Sequence, residues 1–124
     1  MYALTIVDYL KCSHSLRGNF GPARELHIST FDVELTFSSP SLNDDGVVLD
    51  FDLAQKGLWR ALEPLRFQNL DVVPEVEGLN TTTENLCKYL HDCMRRSLAG
   101  SFTGRLCVRL HEGRTASASY EAEM

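Results

Sequence analysis

The stretch Glu25-Leu26-His27-Ile28-Ser29-Thr30-Phe31-Asp32-Val33-Glu34-Leu35-Thr36-Phe37 decides how the rest of this chain is read. Leu26, Ile28, Thr30, Asp32, Glu34 and Thr36 alternate with His27, Ser29, Phe31, Val33, Leu35 and Phe37. That is the period of an extended strand, whose successive side chains point to opposite faces. The second set is the more apolar, so it faces the core. His27 and Ser29 share that inward face with Phe31, which leaves two polar groups at the end of an apolar strand surface.

Working outward, residues 2 to 10 (YALTIVDYL) are β-branched and aromatic enough for a half-buried strand. Gly18, Asn19, Gly21 and Pro22 then break regular structure and leave a connection over 15 to 24 long enough to rim a pocket. Residues 38 to 46 are turn chemistry. Asp50 suits an N-cap, and Leu53, Gly57, Leu58, Ala61 and Leu62 recur at helical spacing, predicting a helix over 51 to 63 that stops at Pro64. Trp59 reads as core or interface. A loop over 71 to 80 leads to a second start signal, Thr81 or Thr82 followed by Glu84 or Asn85. Leu86, Tyr89, Leu90, Cys93 and Met94 form the stripe of this longer helix, which ends before Gly100. Arg105 to His111 alternates, and Ala116 to Ala122 is a weaker strand beyond the turn at Gly113. The order ββααββ predicts an α+β fold, a four-stranded antiparallel sheet with two helices on one face. Its open edges invite pairing between copies.

A chain of 124 residues is expected to form a single domain over 1-124, burying roughly two-thirds of its extended surface without staples. Cys12, Cys87, Cys93 and Cys107 show no paired or zinc-ribbon spacing, so they read as reduced thiols of a cytoplasmic protein, with Cys87, Cys93 and Cys107 as small buried groups. A net charge of -5 argues against nucleic acid as a partner, because tracking phosphates needs clustered cations. Arg95 and Arg96 are explained by the negative end of a helix dipole. No apolar run approaches about 18 residues, so no membrane span is expected. The N-terminal stretch has no basic leader and carries Asp8, so it reads as a strand and not a signal peptide.

Six pieces in order carry a resemblance: His14 at a strand end, Leu26 to Phe31, Gly46-Val47-Val48-Leu49-Asp50-Phe51, Leu70, Thr82-Thr83-Glu84-Asn85, and Glu112 before the last strand. Together they resemble the 6-pyruvoyltetrahydropterin synthase and 6-carboxytetrahydropterin synthase family. The resemblance spans nearly the whole chain and implies the tunnelling fold, with sheets joined into an oligomeric barrel of three or six copies. It also implies a metal site built from three histidines, of which His14 and His27 are present while the third position is Ser29. A neutral hydroxyl is a poor zinc ligand beside imidazole, so this degenerate site is expected to hold no tight zinc and the chain to need no cofactor. The family's catalytic cysteine falls at Ala23, and its Asp-His proton relay at Arg66 and Phe67. Arginine stays protonated and phenylalanine carries no exchangeable proton, so that relay is absent.

What the resemblance retains is the part that grips a ring. Glu112 matches the pterin-anchoring glutamate, Thr82 matches a threonine that frames the heterocycle from a neighbouring subunit, and Gly113 replaces a threonine beside the anchor. A carboxylate accepts two parallel hydrogen bonds from adjacent N-H groups, a geometry that selects aminopyrimidinone-like donors. A one-residue register slip would aim Arg109 and His111 at the pocket instead. The leading expectation is an enzyme that binds a planar heteroaromatic or amino-aromatic molecule through Glu112, Thr82 and Ser29. Glu112, His14 and His27 would supply metal-independent acid-base chemistry such as carbonyl-amine condensation or cyclisation. The alternatives are a zinc-dependent tetrahydropterin synthase with a recruited ligand, and a noncatalytic ligand-binding protein.

Overall fold

The computed structural model describes residues 1–124. Strands β1 (Tyr2–His14), β2 (His27–Ser39), β3 (Arg105–Glu112) and β4 (Ala116–Glu123) form one antiparallel sheet in the order β1-β2-β3-β4. Helices α1 (Phe51–Leu62) and α2 (Thr83–Ser97) lie between β2 and β3 in sequence and on one side of the sheet in space, α1 over β1 and α2 over β3 and β4. This is the antiparallel α+β arrangement that the element order predicts, and the tunnelling fold that the resemblance implies.

The β2 alternation holds throughout: Ser29, Phe31, Val33, Leu35 and Phe37 are buried, while Ile28, Thr30 and Asp32 are exposed. Antiparallel partners directly opposite one another point to the same face. Leu10↔Phe31, Cys12↔Ser29 and His14↔His27 therefore share the helix-covered side. Across β3, Phe31↔Glu112 puts Glu112 on that side too, following Leu106, Val108 and Leu110. The feared slip does not occur, and His111 lies on the opposite face 3.2 Å from Glu34. The core is one cluster of 24 buried residues between sheet and helices.

Two helix caps explain where the helices start. Asp50 accepts from the Asp52 N–H at 3.0 Å, and Thr82 accepts from the Asn85 N–H at 3.2 Å. Each satisfies a backbone donor with no partner inside its helix. The second choice resolves the Thr81/Thr82 ambiguity and removes Thr81 from the capping role.

Several details differ from expectation. The strand β1 runs four residues further, to His14, because its far end pairs with β2 and is also flanked by the segment after α1: Phe67 N–H donates to the Lys11 carbonyl at 2.7 Å and Ser13 N–H to that of Gln68 at 3.0 Å. Strand β2 similarly continues through Ser38 and Ser39, because β1 pairs with both. Ala54, not Leu53, joins Gly57, Leu58 and Leu62 on the buried side of α1. The α2 stripe is rotated: Leu86, Leu90 and Met94 are buried as expected, but Cys87 and His91 flank them inside while Tyr89 and Cys93 are only partly covered. The helix turns that face to β4, where the Cys87 thiol and His91 Nε2 reach the carbonyls of Ala118 and Ala122. Cys107 points to the exposed side of the sheet and is only half-buried, and Trp59 is 51% exposed, outside the core.

Candidate functional site

At the end of the sheet where β1 finishes and β2 begins, the register brings His14, His27 and Ser29 together. His14 is 3% exposed and Ser29 5%. The His14 Nε2 lies 3.0 Å from the Ser29 hydroxyl, and its Nδ1 lies 2.9 Å from that of Thr81, which is also buried. The His14 and His27 rings are 4.7 Å apart, centre to centre. Phe31 meets the His14 ring edge-on at 6.2 Å and forms the apolar floor.

For His27 the proton position follows from the partner. His27 Nδ1 sits 2.8 Å from the Glu25 carbonyl, which can only accept, so Nδ1 carries the proton and Nε2 is left as an acceptor. His14 faces a hydroxyl at each nitrogen, Thr81 and Ser29, and because a hydroxyl can donate or accept, either tautomer of the ring is satisfied there. Burial holds His14 below the usual histidine pKa, reinforced by His27 and opposed by Thr81 and the charges of Asp71 and Glu112. His14 is thus a neutral imidazole at neutral pH.

Glu112 lies one strand further in, at the mouth of the site. Its carboxylate is exposed and 3.5 Å from the Thr83 hydroxyl in the first turn of α2, where the positive end of the helix dipole favours a carboxylate. Thr83, Glu84, Glu112, Ala116, Ser117 and Ala118 line a notch of about 170 Å³ there. Thr82 is half-buried beside it, its hydroxyl already engaged in capping α2. The structure thus gathers His14, His27 and Ser29 in one cluster, with Glu112 and the start of α2 at its edge.

Some participants escaped the sequence reading. Thr81 is a partner of His14 and not a cap. Thr83 faces Glu112. Asp71 takes the Ser15 hydroxyl at 2.5 Å and its N–H at 3.1 Å, tying the loop after His14 to the segment before α2. The triple Thr81-Thr82-Thr83 was the available signal, since only one of the three can be the cap. Two positions lacking the expected chemistry have structural duties instead. Arg66 ion-pairs with Asp8 at 2.6 Å and bonds the Tyr9 carbonyl at 3.2 Å. Phe67 is 66% exposed, with a left-handed backbone (φ 58°). Ala23 lies in a short 3-10 turn, Gly21–Arg24.

A sheet of this topology, helices on one side and a histidine pair at its end are the attributes of the pterin synthase class of tunnelling folds. The family model for 6-pyruvoyl tetrahydropterin synthase matches residues 3–123, and the chain belongs to that family. Among solved structures it is similar to Caenorhabditis elegans 6-pyruvoyl tetrahydropterin synthase, at 17% identity and a TM-score of 0.84 over 98% of this chain and 95% of that one. It is similar to the Plasmodium falciparum enzyme at 15% identity and a TM-score of 0.79, over 99% and 98%. The Plasmodium vivax enzyme matches at 13% identity and a TM-score of 0.76, over the whole of both chains. At such identities these likenesses speak for the fold. No curated protein sequence matches the chain. No helix is long and apolar enough to cross a membrane.

Proposed function

We propose that this chain binds a planar, donor-bearing heteroaromatic or amino-aromatic small molecule through Glu112 and acts on it by proton exchange without a tightly held metal. The observation that carries the reading is the pairing of His14 with hydroxyls at both ring nitrogens, 3.0 Å and 2.9 Å away, beside an exposed Glu112. Zinc does not fit this donor set well. Taking Nε2 of His14 for a cation would strip it from Ser29, whose neutral hydroxyl is a weak replacement ligand.

Glu112 would accept a pair of N–H bonds from the ring, a charge-assisted contact that fixes its orientation. His27, with Nδ1 held by the Glu25 carbonyl, would offer Nε2 to accept or return a proton. Carbonyl-amine condensation or ring closure suits such a site, because these steps need held geometry and proton transfer. The notch beside Glu112, about 170 Å³, is small against the roughly 300–1,000 Å³ of an enclosing ligand pocket. A bound ring would therefore stay half-bare within one chain. This supports a site completed at a junction between copies, in a homo-oligomer of three or six, with Thr82 contributing from one side.

The test is calorimetric titration with an aminopyrimidinone-bearing ring such as a pterin, on the parent protein and on Glu112→Gln. The amide keeps the shape but replaces one acceptor with a donor, so affinity should fall at least about tenfold, in line with the loss of a charged hydrogen bond. Full affinity in Glu112→Gln rejects the anchoring role. About one zinc per purified chain, found by elemental analysis and needed for activity, would favour the zinc lyase reading instead.

A further inference from the structure

The outer edge of β1 is open along only part of its length. Phe67 N–H donates to the Lys11 carbonyl at 2.7 Å and Ser13 N–H to the Gln68 carbonyl at 3.0 Å, so odd-numbered residues of β1 turn their backbone groups away from β2. Ala3, Thr5 and Val7 therefore present N–H and C=O groups to a further strand. Tyr9 does not. Its N–H is held by the Asp8 carboxylate at 2.8 Å, its carbonyl accepts from Arg66 Nη2 at 3.2 Å, and the Asp8 and Arg66 side chains meet at 2.6 Å. These side chains are only 27% and 14% exposed, and they stand where a pairing strand would have to run. A charged plug at a sheet edge ends pairing there.

The other edge is β4. Met124 N–H donates to the Gly104 carbonyl at 2.8 Å, continuing the β3–β4 ladder, so even-numbered residues of β4 bond to β3 while Ser117, Ser119, Glu121 and Glu123 turn outward. Because every neighbouring pair in the sheet is antiparallel, β1 and β4 run in opposite directions. A second copy laid alongside in the same orientation meets β1 with its β4 antiparallel, odd residue opposite odd residue, and keeps both sets of helices on one side. Charge agrees with this partner. Lys56, Trp59 and Arg60 line a groove of about 550 Å³ beside Val7 and Asp8, whereas Glu84 and Glu112 flank the start of β4.

We infer that the Asp8–Arg66 pair is a stop that fixes how a second copy of this chain docks, its β4 pairing with β1 so that Ser117 stands opposite Val7, Ser119 opposite Thr5 and Glu121 opposite Ala3. Advancing β4 by two residues drives Ser117 against the blocked Tyr9; withdrawing it by two leaves Val7 bare. The inference rests on the reading of the Glu112 notch as a site completed between copies, and it names what completes it. In this register Asp8 of one copy faces Ala116 of the other, and Ala116 is itself opposite Glu112. Two strand spacings, about 10 Å, then separate the Asp8 and Glu112 backbones. Asp8 and Arg66 of one copy thus wall the open side of the notch in the next.

The experiment uses the full chain and disulfide cross-linking. Val7→Cys/Ser117→Cys and Val7→Cys/Ser119→Cys proteins are oxidised with diamide and followed by non-reducing electrophoresis and peptide mapping, beside the parent as a control for its own four cysteines. The paired positions lie on opposite edges of one sheet, so only separate copies can join. Directly opposite residues have Cα atoms about 5.5 Å apart, within reach of a disulfide, and a two-residue offset lies beyond the roughly 7 Å limit, so the 7–117 link should form at least about tenfold faster than 7–119. Arg66→Ala frees Tyr9 and lets β4 advance, which should make 7–119 the faster link. Where Arg66→Ala fails to fold by circular dichroism, the comparison with Arg66 intact still decides the register. Glu112→Gln leaves both links unchanged, so a failed ring titration and a failed register are told apart. A monomeric parent by light scattering, equal rates for the two links, or a preference that a folded Arg66→Ala variant leaves unmoved would each overturn the proposal.

Discussion

Replacing Ser29 with alanine removes a single oxygen, and the structure fixes what that costs. Ser29 and His14 are 5% and 3% exposed, so no water readily replaces the hydroxyl on Nε2. The substitution leaves a buried ring nitrogen without a partner, worth about 1–3 kcal/mol, while the cavity left by one oxygen adds little. Unfolding entropy of about 2.1 cal/mol/K per residue gives roughly 0.26 kcal/mol/K for a chain of 124 residues. The expected loss in Tm is therefore about 4–12 °C. Thermal unfolding followed by circular dichroism at pH 8 reads this directly, and urea titration at 25 °C checks it with an unchanged m-value. Thr81→Val should act similarly at the other nitrogen, and the double variant should be less damaging than the sum because both changes act on one ring. A Ser29→Ala shift below about 1 °C would mean that the hydroxyl does not satisfy His14, and the account of the site would fail at its centre.

Ser29→His should convert the end of the sheet into a set of three imidazoles with His14 and His27; zinc at about 100 times its Kd would then stabilise the variant by about 2.7 kcal/mol. The parent should gain much less, so equal zinc-induced shifts in both proteins would sink the idea that residue 29 weakens the metal site. The depressed pKa of His14 makes stability depend on pH: below its unfolded value of 6.5 the unfolded chain takes up a proton that the native ring resists. Stability should thus fall as pH drops from about 7 through 6.5 towards the native pKa, and His14→Gln should flatten this slope in urea titrations across that range; an unchanged slope argues against it. Asp50→Ala should cost about 1 kcal/mol through loss of the α1 cap, read by the same titrations, whereas loss of only a few tenths would show the Asp52 N–H to be solvated anyway.

The fold was legible because its strongest signals are local. The period-two run of β2 sets a face, and antiparallel register then carries that face to β1 and β3; Asp50 and the Pro64 stop likewise bracket α1. The ends of β1 and β2 were less legible, since His14, Ser38 and Ser39 look like loop residues until a partner strand claims their backbone. The rotation of α2 was missed by one step: its apolar arc is wider than the stripe assumed, and contact with β4 selects Cys87 and His91 over Tyr89 and Cys93. At the site, His14, His27, Ser29 and Glu112 were named from the family resemblance, but their hydrogen bonds were not. Thr81 stands 67 residues from His14, and nothing local distinguishes a threonine that caps a helix from one that holds a distant imidazole.

Residue 29 shows how little of the scaffold a change of chemistry need disturb. The alternation of Phe31, Val33, Leu35 and Phe37 into the core fixes the phase of β2, so whatever stands at 29 is presented to Nε2 of His14. An imidazole there would leave two basic nitrogens facing each other, which share a cation or repel as their pKa values allow. A hydroxyl can instead donate to that nitrogen or accept from it, so it pairs with either tautomer and needs no cation. The same backbone thus presents whichever side chain stands at 29 to that nitrogen, and in this chain it is a hydroxyl, 3.0 Å away.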